Sequence, residues 1–165
     1  MEGASEAVSV TRPLRLTQVV ALPLAVLVLD QLAKWWVQSE LTLNEPVRVL
    51  GDNVRLLYIH NEGAAFGISV GEHSPTLFLV LASAASILVL YLLIVTPVTQ
   101  RLQRFALGLI LGGAVGNIID RVRLGQVVDF IQVGVGGHYW PIFNVADSAV
   151  TVGAVVLGIA YLTDR

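Results

Sequence analysis

The chain has 165 residues, room for one compact unit and too little for two ordinary domains. Hydrophobic residues make up 55% and charged residues 13%, against about 25% charged in a soluble domain, and the mean hydropathy is +0.75, so lipid is the expected solvent. The formal net charge of −2 argues against a nucleic-acid partner, and the absence of cysteine excludes disulfides, thiolate metal sites and a cysteine nucleophile.

Residues 1–15 read as a flexible N-terminus, followed by the first of four predicted spanning helices, over 17–37. A span needs about 20 mostly apolar residues, and backbone groups in hydrocarbon must be satisfied within the segment, which selects helix. Pro23 is a candidate kink. This stretch is too long for a signal-peptide core, carries Asp30 and Lys34, and lacks a small-x-small cleavage site, so a retained helix is expected. Asp30 and Lys34 are four apart and share a face. The plain reading is an internal ion pair with Lys34 reaching outward to the interface; the alternative is a part in shaping a substrate site. Lys34 is the only lysine, so a serine–lysine protease would have to use it.

Residues 38–74 follow as a loop. Within it, "PVRVLGDNVRLLYIH" places two apolar, β-branched runs around Gly-Asp-Asn and reads as a hairpin, with "AAFGISV" as a candidate third strand. The result is a small sheet lying on the membrane surface. The second span is predicted over 76–95, bounded by Pro75 and Pro97, and the third over 105–122. Gly108, Gly112 and Gly116 stand four apart on the third span, which allows close helix approach, within the chain or between chains. Asn117, Asp120 and Arg121 follow, and read as a structural polar knot at the end of that helix. Residues 123–142 form a second loop, and the fourth span covers 143–162.

Loop charge sets the orientation. Arg12 and Arg15 precede the first helix, and Arg101 and Arg104 separate the second from the third with no acidic residue nearby, so both regions are expected in the cytoplasm. The 38–74 loop holds Arg48 and Arg55 against Glu40, Glu45, Asp52, Glu62 and Glu72 and is expected outside, with both termini inside. Arg121 and Arg123 run against the rule and need internal partners. Trp35, Trp36, Tyr139 and Trp140 suit the headgroup level as anchors.

Ionisable groups inside a membrane are costly and face partners or a functional site. On the fourth helix Asn144, Asp147, Ser148 and Thr151 recur at three and four, one polar stripe on an apolar helix. Asn144 suits an N-terminal cap. Asp147 in the first turn gains about 0.3–1 kcal/mol from the helix dipole, less than the roughly 2.5–3.5 kcal/mol cost at a helix centre. Asp129 lies 18 positions earlier between apolar neighbours. A short surface helix and a turn at Gly134, Gly136 and Gly137 would bring it back to Asp147. Two carboxylates at close range share a proton. The ionised one serves as general base on water and the protonated one as donor to the scissile carbonyl, as in the aspartic-protease pattern. No metal or cofactor is needed. His60, His73 and His138 lack metal-ligand spacing, and no His-Glu-x-x-His helix or phosphate loop is present.

The segments "DQLAK" (30–34), "NEGAAFG" (61–67), "GNIIDRVRLGQVVDF" (116–130) and "FNVADS" (143–148) resemble, in order and spacing, the motifs of lipoprotein signal peptidase, bacterial signal peptidase II. The resemblance implies an all-α membrane protein: four transmembrane helices, a small extracytoplasmic β-platform and a short surface helix between helices 3 and 4. It implies an aspartyl endopeptidase of the inner membrane, and no cofactor and a monomer are expected. Its substrates are prolipoproteins, cut just before a cysteine carrying diacylglyceryl, in contact with membrane lipid near the outer leaflet. By motif match the catalytic residues fall on Asp129 and Asp147. Asn61, Gly63, Asn117, Arg121 and Asn144 line the site, and Asp30 and Lys34 take the paired polar positions of the first helix. Two other readings of the residues stand beside this one. One is a proton-coupled carrier with a relay through Asp30, Asp120 and Asp147; the other is a non-catalytic assembly subunit whose polar groups are helix glue.

Overall fold

The computed structural model describes residues 16–63 and 74–163. Four helices, α1 (Leu16–Glu40), α2 (Ser74–Val95), α3 (Arg101–Leu124) and α4 (Val145–Thr163), are each long and apolar enough to cross a membrane. They contain the four predicted spans with ends moved by a few residues, apart from two residues at the start of the last. α1 runs unbroken through Pro23. The bundle is inverted relative to a soluble one: Leu29, Ile87, Leu88 and Leu162 face outward, while Asp30, Lys34, Asp120 and Asn144 are inside. That arrangement is what hydrocarbon outside and polar partners inside require.

α3 is the centre of the bundle, with α1, α2 and α4 all packed on it. Its glycines let the backbones close. A Cβ at Gly112 would lie 2.6 Å from the Pro23 carbonyl oxygen, and one at Gly113 only 2.4 Å from that of Ala146. Gly108 meets Leu22, and Gly116 meets Asp30. These glycines therefore serve contacts within the chain. Where α2 ends, the buried Arg104 of α3 donates Nη1 to the Leu93 and Thr96 carbonyls, which have no helical partner of their own.

Strands β1 (Pro46–Leu50) and β2 (Val54–Asn61) form the predicted hairpin. The candidate third strand at 64–70 lies outside the described residues, as do 1–15, where a flexible tail is expected. The strand that does pair with β2 is β3 (Val127–Val135), antiparallel, with Asn61 opposite Val127 and Ile59 opposite Asp129. β3 then turns through Gly136 and Gly137, both at positive φ, into β4 (His138–Tyr139). The sheet order is β1-β2-β3-β4.

This corrects the expectation of a short surface helix between the last two spans: 127–135 and 138–139 are strands. The run "VVDFIQVGV" is rich in β-branched residues, and β2 offers it a paired edge, so the ladder wins over the helix. Gly125, at φ 74, ends α3 and donates its N–H to the Arg121 carbonyl, which turns the chain sharply into β3.

Two apolar clusters bracket the polar interior. Val19, Leu93 and Leu107 join α1, α2 and α3 at the end away from the sheet. Val37, Tyr58, Val128 and Phe130 seat the sheet on the other end of α1.

Candidate active site

Asp129 projects from β3 and is buried; Asp147 projects from the first turn of α4 and is half-buried. Asn144 connects them. Its Nδ2 donates to Asp129 Oδ1 at 2.7 Å, and its Oδ1 accepts the Asp147 N–H at 2.8 Å. Its own N–H donates to Asp147 Oδ2 at 3.2 Å. Asn144 and Asp147 thus make a reciprocal capping box in which the acid three residues on is an aspartate. Capping is real here, and it leaves a second Asp147 oxygen over. That oxygen, Oδ1, accepts Asn117 Nδ2 at 2.8 Å. The second oxygen of Asp129, Oδ2, accepts Asn61 Nδ2 at 2.8 Å.

Burial is the largest effect on the Asp129 carboxyl and pushes it up to about 7. The hydrogen bond from Asn61 opposes this, the Asp147 charge adds to it, and Asn144 and the Lys34 charge oppose it. A carboxyl so placed changes protonation near neutrality, as general acid–base work requires.

The supporting residues form one connected network. Asn61 Oδ1 accepts the Gly63 N–H, and the Gly63 carbonyl accepts Arg121 Nη2 at 3.1 Å. Arg121 also donates weakly to the Asn117 carbonyl, so it has the internal partners expected from its exception to the charge rule. Arg123 is exposed. Lys34 bonds Asp30 and Asp120, each at 2.8 Å, and Asn117 Oδ1 at 2.9 Å. The expectation that Lys34 reaches outward is corrected: it is 1% exposed and points into the bundle, because two buried carboxylates outweigh the pull of the interface. All nine residues singled out in the sequence meet in this network.

Four features depart from the sequence reading. Gln31 went unnoticed, yet its Nε2 donates to Asp30, Asp120 and the Gly116 carbonyl. The available signal was a glutamine inside an apolar span. Asp120, read as part of a local knot, is an ion-pair partner of Lys34. The polar stripe of α4 divides: Asn144 and Asp147 enter the network, Ser148 Oγ donates to the Asn144 carbonyl, and Thr151 is exposed. Tyr139, expected as an anchor, instead braces the sheet, with Arg55 over its ring at 3.8 Å and its hydroxyl on the Asp52 carbonyl. Residues 67–71 spell Gly-Ile-Ser-Val-Gly, the letters of a hydrolase nucleophile elbow. They lie outside the described residues.

Comparison with known proteins places this geometry. A family model described as Signal peptidase (SPase) II matches residues 22–163. The lipoprotein signal peptidase of Desulforapulum autotrophicum is 44% identical over 135 residues, covering 79% of this chain and 83% of that protein. That of Syntrophus aciditrophicus is 41% identical over 137 residues, covering 80% and 84%. A solved bacterial membrane enzyme, determined by the in meso method at 2.3 Å resolution, superposes with a TM-score of 0.81 at 31% identity, over 90% of each chain. A second, at 1.9 Å, gives the same TM-score at 30% identity, over 94% of this chain and 99% of the other. The chain belongs to the signal peptidase II family.

Proposed function

We propose that Asp129 and Asp147 are the catalytic pair with which this enzyme removes signal peptides from prolipoproteins. Membership of the family supplies the activity, a peptidase acting on lipoprotein precursors. The observation that carries the assignment of the pair is the Asn144 bridge, which holds one carboxylate from β3 and one from α4 on a single side chain.

The chemistry follows from sharing one proton. A water between the two carboxyls loses a proton to the ionised aspartate as its oxygen attacks the scissile carbonyl. The protonated aspartate donates to the developing oxyanion. When the tetrahedral intermediate collapses, the carbon–nitrogen bond breaks and the leaving amine takes a proton from the acid of the pair. Asn61, Asn117 and Asn144 hold the acceptor oxygens in place and keep them from rotating. Arg121 fixes the backbone at Gly63 beside the site.

The substrate is a diacylglyceryl-modified precursor, cut before the lipidated cysteine. Support comes from the inverted bundle, whose apolar exterior lets an acylated chain approach in the membrane plane. Each buried CH₂ contributes about 0.8 kcal/mol to that localisation. The platform and the site lie at the external end, in keeping with Arg101 and Arg104 at the opposite end of α3. A proton relay across the bundle is disfavoured because Asp30, Asp120, Asp129 and Asp147 gather in one network instead of spreading along the helices.

The test is cleavage of a diacylglyceryl-modified precursor by the purified protein in detergent. Asp129→Asn and Asp147→Asn should each abolish cleavage while the protein stays folded. Turnover retained by both variants would end the assignment.

A further inference from the structure

Hydrolysis by the aspartate pair has no step that calls for Lys34, yet the side chain is fully buried and has a partner for each of its three protons: Asp30 Oδ2, Asp120 Oδ2 and Asn117 Oδ1. Each of those partners in turn reaches one of the aspartate-bearing segments. Asp30 Oδ1 accepts the N–H of Ala146 at 2.9 Å, one residue before Asp147. Asp120 Oδ2 accepts the N–H of Val128 at 3.2 Å, one residue before Asp129. Asn117 Nδ2 goes to Asp147 itself. Two clamps of the same kind therefore leave the ammonium: cation, carboxylate, backbone N–H. Each closes on the residue preceding one of the aspartates.

A plain structural ion pair does not account for this pattern. Burying a cation between two carboxylates is seldom more stabilising than apolar packing of the same volume, and α1, α3 and α4 already pack through glycine contacts. The surrounding residues are fitted to the clamps. A Cβ at Gly116 would lie 2.6 Å from Asp30 Oδ2, so the glycine is what lets Asp30 lie across α3 towards α4. Gln31 Nε2 donates to both clamp carboxylates and spaces them.

We propose that Lys34 is a positioning residue that sets the separation of Asp129 and Asp147, by gripping β3 through Asp120 and the start of α4 through Asp30. The proposal rests on the catalytic pair described above. The two aspartates stand on different elements, and their carboxyls must be spaced to admit one water. A third body is needed to gauge them, and a misplacement of about 1 Å costs about 100-fold in rate.

The experiment is steady-state cleavage of the diacylglyceryl-modified precursor by purified full-length variants across pH, with thermal melting to report the folded fraction. Lys34→Met should lower kcat about 100-fold and leave KM within about twofold, since substrate contacts are untouched. It should also move the bell-shaped rate profile to higher pH. Asp129 faces Asp147 from α4, Arg121 from α3 and Lys34 from α1, with Asn61 from β2, and the Lys34 charge lowers its carboxyl. Loss of that charge displaces both limbs upward, which a loss of folded protein alone does not do. Asp120→Asn, which keeps an oxygen for Val128, should lower kcat about tenfold at unchanged KM, and should add nothing to Lys34→Met, because both act on one device. If Lys34→Met does not fold, Asp120→Asn and Asp30→Asn decide by the same split of kcat from KM. Wild-type kcat in these variants, or a loss that only tracks the folded fraction with the bell unmoved, overturns the proposal. Asp129→Asn and Asp147→Asn run alongside. Turnover in both of these would overturn the pair itself, whereas two dead aspartate variants with a wild-type Lys34→Met would overturn only the clamp.

Discussion

Asn144 serves a helix end and the proposed catalytic pair with one amide. Its oxygen caps α4 and its nitrogen holds Asp129, so Asn144→Ala should lose about 1 kcal/mol of capping and also free one carboxylate of the proposed pair. Asn144→Asp keeps the cap acceptor but replaces the donor to Asp129 with a third acid. The expected outcome is an alanine variant with a lower melting temperature and no cleavage, and an aspartate variant equally inactive but closer to wild-type stability. Equal melting temperatures for both would remove the cap from the account. Asp129 gives a second test. Its folded value of about 7 lies above the ordinary 3.8, so the native state holds this proton more tightly than the unfolded chain. The sign follows: the stability it contributes is present at low pH and is lost as pH rises through about 7, a total of about 4 kcal/mol. Asp129→Asn should therefore melt progressively higher than wild type as pH goes from 5 to 8, while being inactive at both. A gap that stays constant with pH would show that Asp129 does not bear this cost. At this scale the sequence was informative because an ion in an apolar span always demands a partner. It identified Asp30, Lys34 and Asp147 as needing one, and could not say which direction Lys34 turns, since that depends on Asp120, 86 positions away in the chain.

Packing between elements depends on α3 having glycine where neighbouring backbones arrive. Gly113 sits against the Ala146 carbonyl, directly beneath the helix turn that carries Asp147. Gly113→Ala must push α4 outward and should destabilise by about 1–3 kcal/mol, the usual range for overpacking, with a larger loss of activity than of stability. Gly158→Ala is the control, since nothing lies within 4 Å of its Cβ position. There alanine should be neutral or slightly stabilising on helix propensity. Melting temperatures of the two variants check this, and a Gly113→Ala protein that melts with wild type would mean the contact is not close in solution. The glycine spacing was legible because four-residue steps stay on one helix face. β3 was not. Its neighbours in sequence give no sign of the partner strand, which lies 66 residues upstream where Asn61 pairs with Val127. Only the run of Val127, Val128, Ile131, Val133 and Val135 pointed to strand, and a surface helix also fits a short, partly apolar connection. Long-range pairing settles such cases, and periodicity within the segment does not.

For the whole molecule the decisive question is which side of the membrane the sheet occupies. α1 and α3 run parallel to one another, as the pairing of Leu22 with Gly108 and Asp30 with Gly116 requires, and α4 runs against them, with Gly113 on Ala146 and Gly153 on Ala106. Four alternating spans result, with the β1–β2 hairpin and the aspartates at one end and the α2–α3 turn at the other. The orientation proposed above puts that turn in the cytoplasm, on the strength of its arginines, and the acidic β-loop outside. The absence of cysteine makes this directly measurable, because any thiol introduced is the only one present. Asn53 lies in the exposed turn between β1 and β2, and Gln100 in the exposed turn before α3. Both sites are far from the network, so Asn53→Cys and Gln100→Cys should leave cleavage intact. In intact spheroplasts a membrane-impermeant maleimide should label Asn53→Cys fully and Gln100→Cys only after lysis. The reverse pattern would put the aspartates on the cytoplasmic face. There they could not meet a precursor at the outer leaflet, as the proposed function requires, and the coupling of lipid-plane delivery to the Asp129–Asp147 pair would have to be abandoned.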